Sequence, residues 1–210
     1  METASQAFAP KIGPEDQARA DFYALLSRLF ESAPDAGLLA AIAAADELPD
    51  VSTAGIGCDL AKAWRELIAA SAAMDAEAAA AEYQDLFIGV GRSEVSLNAA
   101  GYAKPGSANP LVAVRSALAV LGLARQTGVN TYEDHLAAVC ETMRMLIIGV
   151  KDAKAYPFVE QRGFFEAHVR PWVFDCCSAI ESSPVANYYR RVAEFTETFM
   201  VLERDSFAIE

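Results

Sequence analysis

Asp134 and His135 stand side by side in the run Asn130 to Gly149, NTYEDHLAAVCETMRMLIIG, and an acid beside a histidine is a pair from which proton transfer, metal binding or recognition of a cationic partner could be built. The rest of the chain offers that pair little help. It has two histidines, His135 and His168, and four cysteines, Cys58, Cys140, Cys176 and Cys177, with no C-x-x-C spacing among them. A histidine-rich metal site cannot be assembled from two imidazoles, and the adjacent Cys176 and Cys177 are badly placed to chelate one tetrahedral ion, so neither a metal nor a cofactor is expected. A cysteine, a histidine and an acid could form a nucleophilic triad, but no segment reads as a Gly-x-Ser-x-Gly elbow or sets a nucleophile between strand and helix. Gly89-Val90-Gly91-Arg92 lacks the Gly-Lys-Ser/Thr ending and the preceding strand of a phosphate loop. No catalytic residues are assigned, and the chain is not expected to be an enzyme.

The element that must position the pair is a helix. Thr131 is expected to cap it, with Glu133 and Asp134 in a first turn where carboxylates suit the positive end of the helix dipole. Leu136, Val139, Cys140, Met143, Ile147 and Val150 then recur at three- and four-residue steps, the period of a helix with one buried face, and Gly149 fits its stop. At about 100° per residue Asp134 points away from the apolar stripe and His135 lies at its edge, so both side chains are expected off the core.

Similar stripes recur along the chain. Pro14 opens a helix with Ala18, Phe22, Leu25, Leu26 and Leu29 on its apolar face. Leu38 to Ala45 make a short second helix. Leu60, Trp64, Leu67 and Ile68 mark a third, with Trp64 in the core, and Asp75 caps a fourth that runs to Phe87. From Gly89 to Pro110 the helical pattern fails, which makes this the longest candidate loop. Asn109-Pro110 starts the next helix, carrying Leu111, Val114, Leu118 and Leu121; Lys151 to Lys154 form a charged turn. A helix after Tyr156-Pro157 should kink or split at Pro171, and a last one carries Tyr188, Val192, Phe195 and Phe199. His168 reads as a packed structural residue. These patterns predict an all-α, single-domain helical bundle of about eight to ten helices over 1–210. Two lobes, 13–88 and 110–205, would be joined by the 89–109 loop, which leaves room for a minor dimer that exchanges halves beside the monomer.

Hydrophobic residues make up 53% of the 210, and the formal net charge is −12. That charge argues against nucleic acid, which needs clustered Lys and Arg, and suits a basic partner. The first twenty residues hold Pro10, Lys11, Pro14, Glu15 and Asp16 without a continuous apolar run, and no run of about 18 uncharged apolar residues follows, so neither a secretory signal nor membrane insertion is expected. The cysteines read as reduced core or boundary thiols in the cytoplasm.

Three segments resemble one family. Tyr132-Glu133-Asp134-His135-Leu136 is similar to the E-P-x-D-H motif of the TorD/DmsD/NarJ family of cytoplasmic chaperones for molybdoenzymes, without its Pro. Glu82-Tyr83-Gln84-Asp85-Leu86-Phe87-Ile88-Gly89 is similar to its E-Y/F-x-x-L-F-x-G segment, and Phe164-Phe165 through His168, Pro171 and Trp172 to Tyr188-Tyr189 to its C-terminal pattern. Where the family usually has a Pro-rich, Tyr-containing segment, this chain reads Val90 to Tyr102. The resemblance, nearest the TorD-like branch, implies a chaperone that binds the twin-arginine signal peptide or the apo form of a molybdopterin-containing oxidoreductase and assists cofactor insertion before export. By the same resemblance the client-binding residues would be Asp134, His135 and Glu133, with Tyr83, Leu86 and Phe87 from the apolar segment and Tyr102 at the end of the loop. A second reading is a helical regulator that holds a small molecule or guanine nucleotide between its lobes.

Overall fold

Pro14 begins the first helix because its fixed φ and missing N–H cost nothing in a first turn, where the backbone donors lack intrahelical partners anyway. The computed structural model describes residues 12–49, 56–91, 93–125, 128, 130–150 and 155–209. Of the stretches expected to be irregular, a tail over 1–12 and a loop through Ser52, Gly55 and Gly57, residues 1–11 and 50–55 lie outside the described residues, as do the charged turn Lys151 to Lys154 and the side chain of Cys58, whereas Gly57 lies in a helix. The helices are α1 (Pro14–Glu31), α2 (Ala36–Ala43), α3 (Ile56–Ala73), α4 (Ala76–Tyr83), α5 (Pro110–Val120), α6 (Leu136–Ile148), α7 (Phe158–Phe164), α8 (Arg170–Ser182) and α9 (Tyr188–Ile209). Among the described residues no strand forms, and the single bridge pairs Asn98 with His135. The architecture is an all-α bundle.

Local chemistry sets most boundaries as expected. Asp75 caps α4 through Glu77 and Ala78 N–H and Asn109 caps α5 through Leu111 N–H, while Asp35, not expected as a cap, caps α2 through Leu38 N–H. Gly149, at φ 79°, ends α6 in a conformation that a side chain would resist. The ends of α2 and α4 differ from expectation, since α2 spans Ala36–Ala43 rather than Leu38 to Ala45 and α4 does not reach Phe87. The α4 helix stops at Tyr83 and widens into a π-helical turn over Gln84–Ile88, where Gly89 N–H reaches back five residues to Gln84 C=O. A second widened turn, Phe165–Val169, joins α7 to α8 just ahead of Pro171, whose ring cannot continue a regular hydrogen-bond ladder.

The core forms where α1 lies on α6, α3 on α9 and α8 on α9, so the segments before and after the 89–109 loop pack into one another. Tyr23, Leu26 and Leu29 of α1 are buried together with Leu136, Val139 and Met143 of α6, and Ser27 Oγ donates to Ala137 C=O at 2.9 Å. The face of α1 is rotated from the expected one: Ala18 is exposed, whereas Arg19 and Tyr23 are buried. The reason is an ion pair that no periodicity reveals. Arg19 meets Glu203 of α9 through two hydrogen bonds, 2.7 and 2.9 Å, and Tyr23 Oη donates to the same carboxylate at 2.9 Å. A buried pair of this kind holds because both ions and their spare hydrogen-bonding groups are satisfied. Phe22, Trp64, Phe195 and Phe199 pack edge-on or tilted with centroids 5.2 to 5.6 Å apart, which confirms Trp64 as core.

Glu82 ties α4 to the start of α9. It is 8% exposed on α4, and its two carboxylate oxygens accept from the N–H groups of Asn187, Tyr188 and Tyr189 at 2.8, 3.0 and 2.8 Å. It therefore caps α9 from another helix, taking three of the four donors that every helix start leaves unpaired. Glu82→Ala should lower unfolding free energy by about 3 kcal/mol or more, since three charge-assisted bonds are lost and the buried donors stay unpaired. Glu82→Gln should cost less, and urea titration of the two variants tests the order.

Candidate functional site

The Asp134–His135 pair sits at the start of α6, but not as the spacing predicts. The helix begins at Leu136 with His135 as its cap, and Thr131, Glu133 and Asp134 precede it. Asp134 is 2% exposed rather than turned to solvent. Its carboxylate accepts from Asn98 Nδ2 and from Ala100 N–H, both at 3.1 Å, while its own C=O accepts from Ala99 N–H at 3.0 Å. Leu136 N–H completes the junction by donating to Leu97 C=O at 2.8 Å. Asp134 thus caps the short 3₁₀ turn Ala99–Tyr102 of the long loop, and the Asn98–His135 bridge holds the residues around it extended, which is why the helix cannot begin earlier.

His135 caps its own helix: Ala137 N–H donates to Nδ1 at 3.2 Å. An accepting Nδ1 requires a neutral ring with its proton on Nε2. Burial pushes the imidazole pKa down to about 4, and the adjacent Asp134 offsets only part of that. Glu133 is committed to cations, with Oε2 3.0 Å from Arg115 Nε and Oε1 3.9 Å from Arg125 Nε. Tyr102 lies at the far end of the loop, its ring stacked on Trp172 at 5.8 Å and its hydroxyl donating to Ser96 C=O at 2.8 Å. Burial raises its phenol pKa above the usual range. The loop is a packed element rather than a loose linker, because Val95, Leu97 and Ala99 are buried and Gly101 approaches so closely that a Cβ there would sit 2.6 Å from Ser96 Oγ.

Tyr83, Leu86 and Phe87 form a separate knot. Leu86 is fully buried and Phe87 8% exposed, with the Phe87 ring 4.9 Å from Tyr189 and 5.1 Å from Tyr83. Tyr83 Oη is shared between the C=O groups of Phe30 and Glu31, and Tyr189 Oη donates to Leu29 C=O, so two tyrosines satisfy the orphan carbonyls at the end of α1. Burial raises the Tyr83 phenol pKa to about 12. The two knots meet through the loop, since Val95 N–H donates to Leu86 C=O at 2.9 Å.

Two hollows open on the surface that these knots support. One, of about 570 Å³, lies between α5 and α7 and is lined by Ala117, Val120, Leu121, Tyr156, Gly163 and Phe164, with Glu160 and His168 as its ionisable groups. His168 packs against Phe164 at 5.0 Å, and burial lowers its pKa. The other, of about 510 Å³, lies between α2 and the α3–α4 junction and is lined largely by alanines. Among the described residues no three His, Cys, Asp or Glu side chains gather to hold a metal, and Cys140, Cys176 and Cys177 are buried free thiols with pKa values raised by burial.

The chain matches the family described as nitrate reductase delta subunit over residues 55–178, more than half of its length. It belongs to that family. The matched span takes in Tyr83, Leu86, Phe87, Asp134 and His135, the loop and the hollow between α5 and α7, while the α2 wall of the other hollow and Tyr189 lie outside it, and the family is one of molybdoenzyme maturation chaperones. A comparison with curated proteins finds no match. No helix among the described residues is long and apolar enough to cross a membrane.

Residues missed in the sequence are those that answer the motif acids: Asn98 opposite Asp134, the α9 N-terminus opposite Glu82, and Gly101 against Ser96. A glycine next to a tyrosine inside the loop was the one local signal among them. The groove residues Val120, Val159 and Gly163 carried a signal too, as apolar or glycine positions off the buried stripes.

His135 makes stability depend on pH. An unfolded chain takes up a proton near pH 6.5 whereas folded His135 does so only near 4, so its contribution is complete above about 6.5 and is lost as pH falls toward 4. His168 acts in the same direction. In His135→Asn, which can still cap the helix, the urea midpoint should fall less between pH 7 and pH 5 than in the wild type; equal declines would remove His135 as a source of the acid sensitivity.

Proposed function

We propose that this chain binds the twin-arginine signal peptide, or the apo form, of a molybdopterin-containing oxidoreductase in the cytoplasm, and assists cofactor insertion before export. Membership of a molybdoenzyme chaperone family supplies the client class. The observation that carries the peptide reading is the groove between α5 and α7: an apolar trough with a carboxylate, Glu160, in its lining, on a protein with a formal net charge of −12. A twin-arginine leader joins a basic n-region to an apolar h-region, and its receptor needs carboxylates beside apolar surface.

On this reading Asp134, His135, Glu133, Tyr83, Leu86, Phe87 and Tyr102 are positioning residues. Their hydrogen bonds go to backbone groups, to Asn98, or to Arg115, and their rings lie in or against the core, so they shape the client-facing surface by holding the loop, α5 and α6 in place. Apolar burial of the h-region should supply most of the binding energy, at about 25 cal/mol per Å² before association costs.

Isothermal titration with synthetic leaders of the source genome's molybdoenzymes tests the reading. At least one leader should bind with micromolar or better affinity, and truncating its apolar run should weaken binding more than replacing both arginines. Failure of every leader to bind would remove the signal-peptide reading.

A further inference from the structure

We propose that the groove between α5 and α7 is the seat of the leader's apolar run, with Gly163 as the point of closest approach and Glu160 facing a flanking cation. The proposal rests on the leader-binding reading above.

The two helices that wall the groove carry exposed apolar side chains. Val112 and Val120 on α5 are 58% and 88% exposed, and Val159 on α7 is 60% exposed. Val112, Ser116 and Val120 follow at four-residue steps and therefore share one face of α5, while Val159 and Gly163 share one face of α7. Scattered exposed valines are ordinary, but Val120 lines one trough together with Ala117, Leu121, Tyr156 and Phe164, an apolar surface of the kind that marks a partner site.

Gly163 points to close approach independently. It lies inside α7 without a positive φ, and a Cβ added to it would meet nothing within 4 Å. Neither the backbone nor the packing of this chain requires a glycine there, although glycine weakens a helix relative to alanine. Elsewhere the fold does use glycine: at Gly101 a Cβ would collide with Ser96, and Gly149 stands at φ 79°. The space left open at Gly163 belongs to the groove.

Charge selects the occupant. The residues lining the trough include the exposed Glu160 and neither Lys nor Arg, and Arg115 of α5 is spent on Glu133, so the lining itself carries net negative charge. A second copy of this chain would set −12 against −12, and about a two-fold axis Glu160 would face its own twin. An apolar peptide with flanking arginines meets both the valines and the carboxylate. The alanine-lined hollow lacks this pairing, because its acid, Asp75, caps α4.

The test repeats the leader titration with three variants, and follows melting and sedimentation in parallel. Gly163→Leu fills the trough and should bind the leader at least about tenfold more weakly, while melting at or above the wild-type temperature, since leucine is the better helix former. Glu160→Lys should weaken the arginine-containing leader but not the same leader with both arginines replaced. Ala40→Leu, in the other hollow, should bind as the wild type does. Wild-type affinity in Gly163→Leu would overturn this site while leaving the chaperone reading intact. Absence of leader binding by the wild type would overturn both. A dimer that Gly163→Leu dissociates would give the groove to a second copy and also overturn the proposal.

Discussion

A single buried carboxylate, that of Asp134, determines where the long loop ends and where α6 begins. With the side chain 2% exposed, its oxygens have no water to fall back on and must be met by protein donors, and Asn98 and Ala100 N–H meet them. Each further contact of the junction follows from that choice. Residues 97–99 are drawn alongside Asp134 to Leu136, His135 is left as the only residue able to cap the helix, and Val95 and Leu97 are pulled down into the core. The loop is folded because an acid next to a helix start needs it to be.

Glu82 plays the same part at the start of α9. It closes the N-terminus of α9 from α4, while the neighbouring Tyr83 closes the C-terminus of α1. The most recognisable motifs of the sequence are thus fastenings between segments distant along the chain. Their hydrogen bonds run within the fold, to backbone groups, to Asn98 and to Arg115. On the proposed reading, the surface left for a client is made by plainer residues, valines and a glycine, on helices that the fastenings hold in place.

That division explains what could be read in advance. The helical class and most helix starts follow from local chemistry: an apolar stripe at three- and four-residue steps, a proline at Pro14, caps at Asp75 and Asn109. The position of Asp134 does not, because its partners lie 34 and 36 residues away and no periodicity encodes them. Thr131 with Asp134 three residues on imitates a capping box, and only the stronger claim of the loop's donors prevents it from forming one. The rotation of α1 was hidden for the same reason, since the burial of Arg19 depends on Glu203 at the opposite end of the chain.

The measurement that bears most directly on this account is amide hydrogen exchange on Asp134→Ala. If the carboxylate is the clamp, protection should fall across Val95 to Tyr102 and at the first turn of α6, while α3 and α9, where Leu67 and Phe199 are buried, keep the wild-type pattern. Unchanged protection in the loop, or an equal loss throughout the bundle, would contradict it.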